Sequence, residues 1–112
     1  MKNVVDIMKA FSDETRLRIM NLLYDRELCV CDIMETLKIT QVKASRHLIS
    51  LKNAGLVKDR KHAQWAYYSI ASDLEMKLID SVVFDVLRKL ELYQKDLENL
   101  NVFLSEKKIK CK

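Results

Sequence analysis

Proline is absent from this chain and glycine occurs once, at Gly55. With so few punctuators a fold of many strands and tight turns is excluded, and helices should dominate. No apolar run approaches the ~18 residues of a membrane-spanning helix, and Met1-Lys2-Asn3-Val4-Val5-Asp6 does not open a signal peptide. The expected location is the cytoplasm, with no membrane partner. There are three cysteines, an odd number for a disulfide framework, and thiols stay reduced in that compartment. Metal binding or redox sensing is the use they suggest. The sequence offers no carboxylate pair, nucleophile–base pair or glycine-rich phosphate loop, so an enzyme is not expected.

What is present is one domain's worth of chain, 112 residues of which 49% are hydrophobic. A core of that size is marginal alone, and a second copy could supply the missing burial. The net charge of +4 is compatible with nucleic acid, and where the charges lie matters more than their sum.

Val4, Val5, Ile7, Met8 and Phe11 mark a short helix over residues 4–11. Ser12 or Asp13 can cap a second, running to about Tyr24 with an apolar stripe of Leu17, Met20, Leu23 and Tyr24. After a polar break, Leu28–Val30 can be briefly extended. A third helix is expected from Cys31 or Asp32, with Asp32 and Glu35 spaced as a capping box, closing near Lys38. Thr40 can cap a fourth helix that stops at Gly55. Two short helices across so tight a turn make a helix-turn-helix. On the fourth, Leu48 and Leu51 should point inward with Val42 and Ser45 roughly on their side. Gln41, Lys43, Ala44, Arg46, His47 and Ser50 then face out, and Gln and Arg suit bidentate contacts with adenine and guanine. Residues 56–60 and 65–70 form a hairpin whose tip carries Arg60, Lys61 and Gln64. Candidate DNA contacts are therefore Thr40, Gln41, Lys43, Ser45, Arg46, His47, Arg60, Lys61 and Gln64.

From Ser72 to about Leu104 the apolar positions Ile79, Val83, Val86, Leu90, Tyr93, Leu97, Leu100 and Leu104 alternate at 4-3 spacing. One helix of that length would span about 50 Å, longer than its own domain can cover. The spacing predicts a homodimer seam, with Ile79, Val83, Val86, Leu90, Tyr93 and Leu97 at its centre. Residues 1–104 then form the folded unit and 105–112 a basic tail carrying Cys111.

Cys29 and Cys31 stand at or just before the third helix, whose positive end favours the thiolate. Residues i and i+2 share a side of an extended chain but lie roughly 200° apart on a helix. The pair should therefore close on one ion only where the backbone is not helical. A third thiolate is available at Cys111, among Lys108, Lys110 and Lys112. Cys29, Cys31 and Cys111 together, or the first two with an external thiol or water, are the ligand sets that soft trivalent arsenic or antimony would accept. Other ions, thiol oxidation, or two cysteines serving as small buried hydrophobes stay open.

With the residues laid out, helix, helix, helix-turn-helix, hairpin, helix is mainly α with a small β wing. The chain resembles the ArsR/SmtB family of metal-responsive bacterial repressors over nearly its whole length. The resemblance is carried by residues 11–19, by Glu27-Leu28-Cys29-Val30-Cys31-Asp32-Ile33, by residues 43–48, by residues 51–57 and by residues 65–70. It implies a winged helix-turn-helix dimerised through its N- and C-terminal helices, a repressor that leaves double-stranded operator DNA when As(III) or Sb(III) binds. Cd(II) or Pb(II) is the inducer in a neighbouring branch. Four departures stand out. Met34 occupies a position where the arsenic-responsive branch often has a further Cys, and the N-terminal cysteines of the cadmium/lead branch are missing. His47 and His62 are the only histidines, which speaks against a zinc site on the long helix, and Ala63 replaces the usual glycine of the wing.

Overall fold

The computed structural model describes residues 4–71 and 76–106. Helices α1 (Val4–Phe11), α2 (Glu14–Leu23), α3 (Val30–Leu37) and α4 (Gln41–Asn53) precede strands β2 (Val57–His62) and β3 (Trp65–Ile70), and a two-residue strand β1 (Leu28–Cys29) sits between α2 and α3. The chain then runs through α5 (Met76–Asp80), a π-helical stretch Ser81–Val86 and a 3₁₀ turn Leu87–Lys89 into α6 (Glu91–Glu106). This is the expected mainly helical winged helix. Among the described residues no helix is long and apolar enough to cross a membrane.

The caps fall where the sequence put them in three places. Asp13 accepts from the Arg16 amide at 3.1 Å, and Thr40 from the Lys43 amide at 3.1 Å. Gly55, at φ 83°, ends α4 with the paired bonds of a Schellman motif: Leu56 N–H to Leu51 O at 3.0 Å and Gly55 N–H to Lys52 O at 2.9 Å. The fourth cap differs. Helix α3 begins at Val30 with Cys29 as its N-cap, and Asp32 is the third helical residue, its carboxylate accepting from the Cys29 amide at 2.9 Å. The capping register expected at Asp32 and Glu35 is thus displaced three residues towards the N-terminus.

The sheet is antiparallel in the order β1-β3-β2, with Cys29 opposite Tyr67 and Arg60 opposite Tyr67 on the other side. His62 pairs with Trp65, so the wing turns through two residues, Ala63 and Gln64. Ala63 takes φ 57°, the left-handed conformation a tight hairpin turn needs at its first position.

Helix α2 is the centre of the core. Ile19, Met20, Leu22 and Leu23 are buried, and Leu28, Ile33, Leu48, Leu51, Leu56, Ile79, Val83 and Leu100 close around them. Burying a side chain of this size stabilises the fold by roughly 1.5–3 kcal/mol each.

The single long C-terminal helix is not observed. Its start at Ser72 lies outside the described residues, and the chain breaks at Leu90, which is extended (φ −103°, ψ 139°). A π turn carries extra residues, so the 4-3 stripe cannot stay on one face through Ser81–Val86. Ile79, Val83 and Tyr93, expected on a dimer seam, are buried inside the subunit's own core instead, and Leu97 is half-buried against it. Val86 and Leu90 rotate outward, 54% and 47% exposed. No glycine or proline makes the break; polar side chains from α2 hold it. Buried Asn21 donates to Tyr93 O (3.1 Å) and accepts from Arg88 Nε (2.9 Å), while Arg88 also reaches Asp25 (2.8 Å) and stacks 5.0 Å from the Tyr24 ring centre. Further along α6, Asp96, 1% exposed, takes a bidentate pair from Arg18 at 2.8 and 2.9 Å.

Candidate metal centre and nucleic-acid interface

The geometry at the third helix corrects the expectation that its cysteines need a non-helical chain. Cys29 ends β1 and caps α3 with extended backbone (φ −89°, ψ 168°), and Cys31 is the second residue of the helix. An N-cap side chain is carried over the first turn, where the free amides point. That same swing brings Cys29 Sγ to 3.1 Å from Cys31 Sγ with α3 intact. No turn has to unwind to bring the pair together. Two thiolates on one ion, at metal–sulfur lengths of about 2.3 Å and angles between a right angle and tetrahedral, stand roughly 3.3–3.8 Å apart. The observed pair is within a few tenths of an ångström of that range, and with Cys31, disulfide-bonded in this structure, reduced to a thiolate the residues fit a soft ion. Cys29, Cys31 and Asp32 offer ligand atoms all within 4.8 Å of one another. Cys111 lies outside the described residues.

Cys29 is buried and Cys31 half-buried, opening on a cleft of about 350 Å³ that it shares with Met34, Gln41 of α4 and Trp65 of the wing. That Trp65 lines the same cleft as Cys31 has no signal in the local sequence; the β3 pairing of Cys29 with Tyr67 is what folds the wing over the helix start. Cys29 is therefore fixed by its backbone to the wing and by its cap to the helix preceding α4.

On α4 the inward stripe is Ala44, Leu48 and Leu51, each 0% exposed. Ala44 and Val42 exchange their expected sides: Val42 is 71% exposed. Thr40, Gln41, Lys43 and Arg46 are exposed and Ser45 is half-buried, as are the wing candidates Lys61 and Gln64 exposed at the hairpin tip. Two candidates are engaged within the subunit. Arg60 makes a bidentate pair with Glu27, both bonds 2.7 Å, and lies 5.1 Å over the Tyr67 ring. That pairing holds the Glu27 carboxyl below the usual carboxylate range. His47 Nδ1 is 3.3 Å from Arg16 Nη1, and Arg16 is itself anchored on Ala10 O (2.8 Å) and Lys9 O (2.9 Å). Burial, then the Arg16, Lys43 and Arg46 charges, lower the His47 pKa from its ordinary value against the opposing pull of Asp13. A neutral imidazole accepting at Nδ1 leaves its Nε2–H to donate elsewhere. Glu27 and Arg16 could have been suspected only from charge, since nothing in the local spacing links residues 33 or 31 positions apart.

Residues 13–59 match the family model described as bacterial regulatory protein, arsR family. A helix-turn-helix transcriptional regulator of Methanocaldococcus jannaschii, itself uncharacterised, is 43% identical over 82 residues, 72% of this chain and 92% of that protein. The arsenical resistance operon repressor of Escherichia coli K12 is 41% identical over 80 residues, 68% of each chain. Among solved structures, the homodimeric winged helix-turn-helix DNA-binding domain of a possible ArsR-family regulator from Mycobacterium bovis superposes with a TM-score of 0.69 at 31% identity, over 80% of this chain and 82% of that one. Fold, helix-turn-helix and sequence agree, and the chain belongs to the ArsR family of winged-helix transcriptional regulators.

Proposed function

We propose that this regulator is a homodimeric repressor that holds an operator and releases it when trivalent arsenic or antimony binds at Cys29 and Cys31, with Cys111 as the third thiolate. The observation that carries the reading is the 3.1 Å approach of the two sulfurs at the β1–α3 junction. Soft trivalent ions prefer thiolates, and a pyramidal three-thiolate shell would need one more. Cys29 connects that junction to β3 through its backbone and to α3 through its cap, and α3 leads directly into the Thr40 cap of α4. A small shift of Cys29 is thus felt by both parts that would meet DNA. A coupling of ~1–3 kcal/mol would weaken operator binding ~5- to 150-fold, with no unfolding.

Dimerisation is supported by the exposed apolar residues of the two terminal regions, Val4, Val5 and Met8 on α1 with Phe84, Val86 and Leu90. The homodimeric M. bovis domain has the same fold. Two copies of α4 would then read half-sites about 34 Å apart. The Asp32 carboxylate near the sulfurs favours a second reading, a cadmium- or lead-responsive repressor, because a harder oxygen donor completes a site for those ions. Its commitment to the Cys29 amide ranks it behind a third thiolate.

The test is retention of operator DNA on a gel as arsenite, antimonite, cadmium and lead are titrated against reduced protein. Release by arsenite and antimonite, lost in Cys29→Ser and Cys31→Ser, supports the first reading. Release by cadmium or lead alone supports the second, and retention at saturation with every ion removes both sensor readings.

A further inference from the structure

Val42 is the most exposed large hydrophobic residue on α4, at 71%, and neither the core nor the helix accounts for it. It lies at the second helical position after the Thr40 cap, where a β-branched side chain contributes nothing to helix stability. At 3.6 residues per turn its direction is about 180–240° from the buried Ala44, Leu48 and Leu51, so it points straight away from the body. Its neighbours on that outward line are Arg46, about 40° away and exposed, Ser45, about 60° to the other side, and, two turns on, Ile49, about 20° away and 53% exposed. Gln41 and Lys43 flank it, and the positive end of α4 lies beneath.

We propose that Val42 is a sequence-reading residue that packs on the C5-methyl group of a thymine in the major groove. This rests on the DNA-binding reading given above. The occupant is chosen by charge: at the end of α4 that would enter a groove, Val42 is ringed by Lys43, Arg46 and a helix N-terminus, a setting that suits a polyanion, while Ile49, the other exposed apolar residue of α4, lies two turns or about 10 Å further along. Major-groove edges present one apolar group, the thymine methyl, and aliphatic side chains at the N-terminal end of a reader helix meet it. Gln41, one position earlier, would pair with an adjacent adenine, so a thymine next to an adenine is the expected half-site feature.

The experiment uses the full chain and duplexes it selects from a random-sequence pool. Each thymine is replaced in turn by deoxyuridine, which lacks only the methyl group. One thymine per half-site should be sensitive, wild-type binding falling about fourfold per half-site, the burial of one methyl. Val42→Ser should bind the thymine and uracil duplexes alike while keeping the wild-type salt dependence. If no thymine is sensitive, or Val42→Ser keeps the same thymine preference, the inference is overturned. A chain that selects no duplex, or binds without salt dependence, overturns the DNA-binding reading and this inference with it.

Discussion

Replacing Asp32 by alanine should loosen the cysteine pair and the fold together, by an amount that can be worked out beforehand. Asp32 is 2% exposed, and its carboxylate accepts from the amide of Cys29, itself 1% exposed, at 2.9 Å. A buried hydrogen bond to a charged group contributes about 1.5–3 kcal/mol, and alanine leaves the Cys29 N–H without that acceptor. At roughly 4 °C per kcal/mol for a domain of this size, Asp32→Ala should melt about 8 °C lower. Asp32→Asn keeps an acceptor oxygen and loses only the charge, so about half that loss is expected. Thermal melting at fixed protein concentration reads both. Arsenite titration followed by thiolate absorption should rank the variants in the same order, wild type tightest and Asp32→Ala weakest. If Asp32→Ala melts within about 2 °C of wild type, the carboxylate does not hold the N-cap. If Asp32→Asn loses cadmium as completely as Asp32→Ala does, Asp32 is a ligand and not only a support.

Three further outcomes follow from other parts of the fold. Ala63 carries a left-handed backbone that costs a residue with a Cβ about 1–2 kcal/mol, so Ala63→Gly should raise the melting temperature by a few degrees, whereas Ala63→Val should lower it. Asp96→Ala strands the half-buried Arg18 guanidinium and should cost about 3–5 kcal/mol in urea unfolding, with much of the loss recovered in the double variant Arg18→Met, Asp96→Leu. His47 has a folded pKa below its unfolded value of about 6.5, so the unfolded chain takes up the proton first. Stability should be level above that pH and decline as pH falls through it; His47→Gln should flatten this part of the pH profile of unfolding.

Much of the fold is legible in the sequence because its signals are local. Asp13, Thr40 and Gly55 act within four residues of themselves, and the hairpin follows from β-rich runs around a short polar tip. The C-terminal break is not local. The 4-3 stripe is a true apolar pattern, but Arg18 and Asn21 of α2 and Asp25 just beyond its end decide where it bends, and those partners are 63 to 78 residues distant in sequence. The exchange of Val42 and Ala44 has a different origin. At 100° per residue Ala44 lies within about 40° of Leu48 and Leu51 and Val42 lies about 180–240° from them, so the helical spacing places Ala44 inward; only the larger apolar side chain of Val42 points the other way. At the site, the residue types were readable and the geometry was not: treating Cys29 and Cys31 as wholly extended or wholly helical omits the cap, which is neither. Arg60 and His47 read as DNA contacts because they are basic and near the reader, while their internal partners Glu27 and Arg16 come from other elements.

The most direct measurement of the central claim is arsenic X-ray absorption on reduced protein loaded with one arsenite per subunit. A shell of three sulfurs at about 2.3 Å, lost or reduced in each of Cys29→Ser, Cys31→Ser and Cys111→Ser, is the predicted result. An oxygen-dominated shell, or a sulfur shell unchanged in Cys29→Ser and Cys31→Ser, would contradict it.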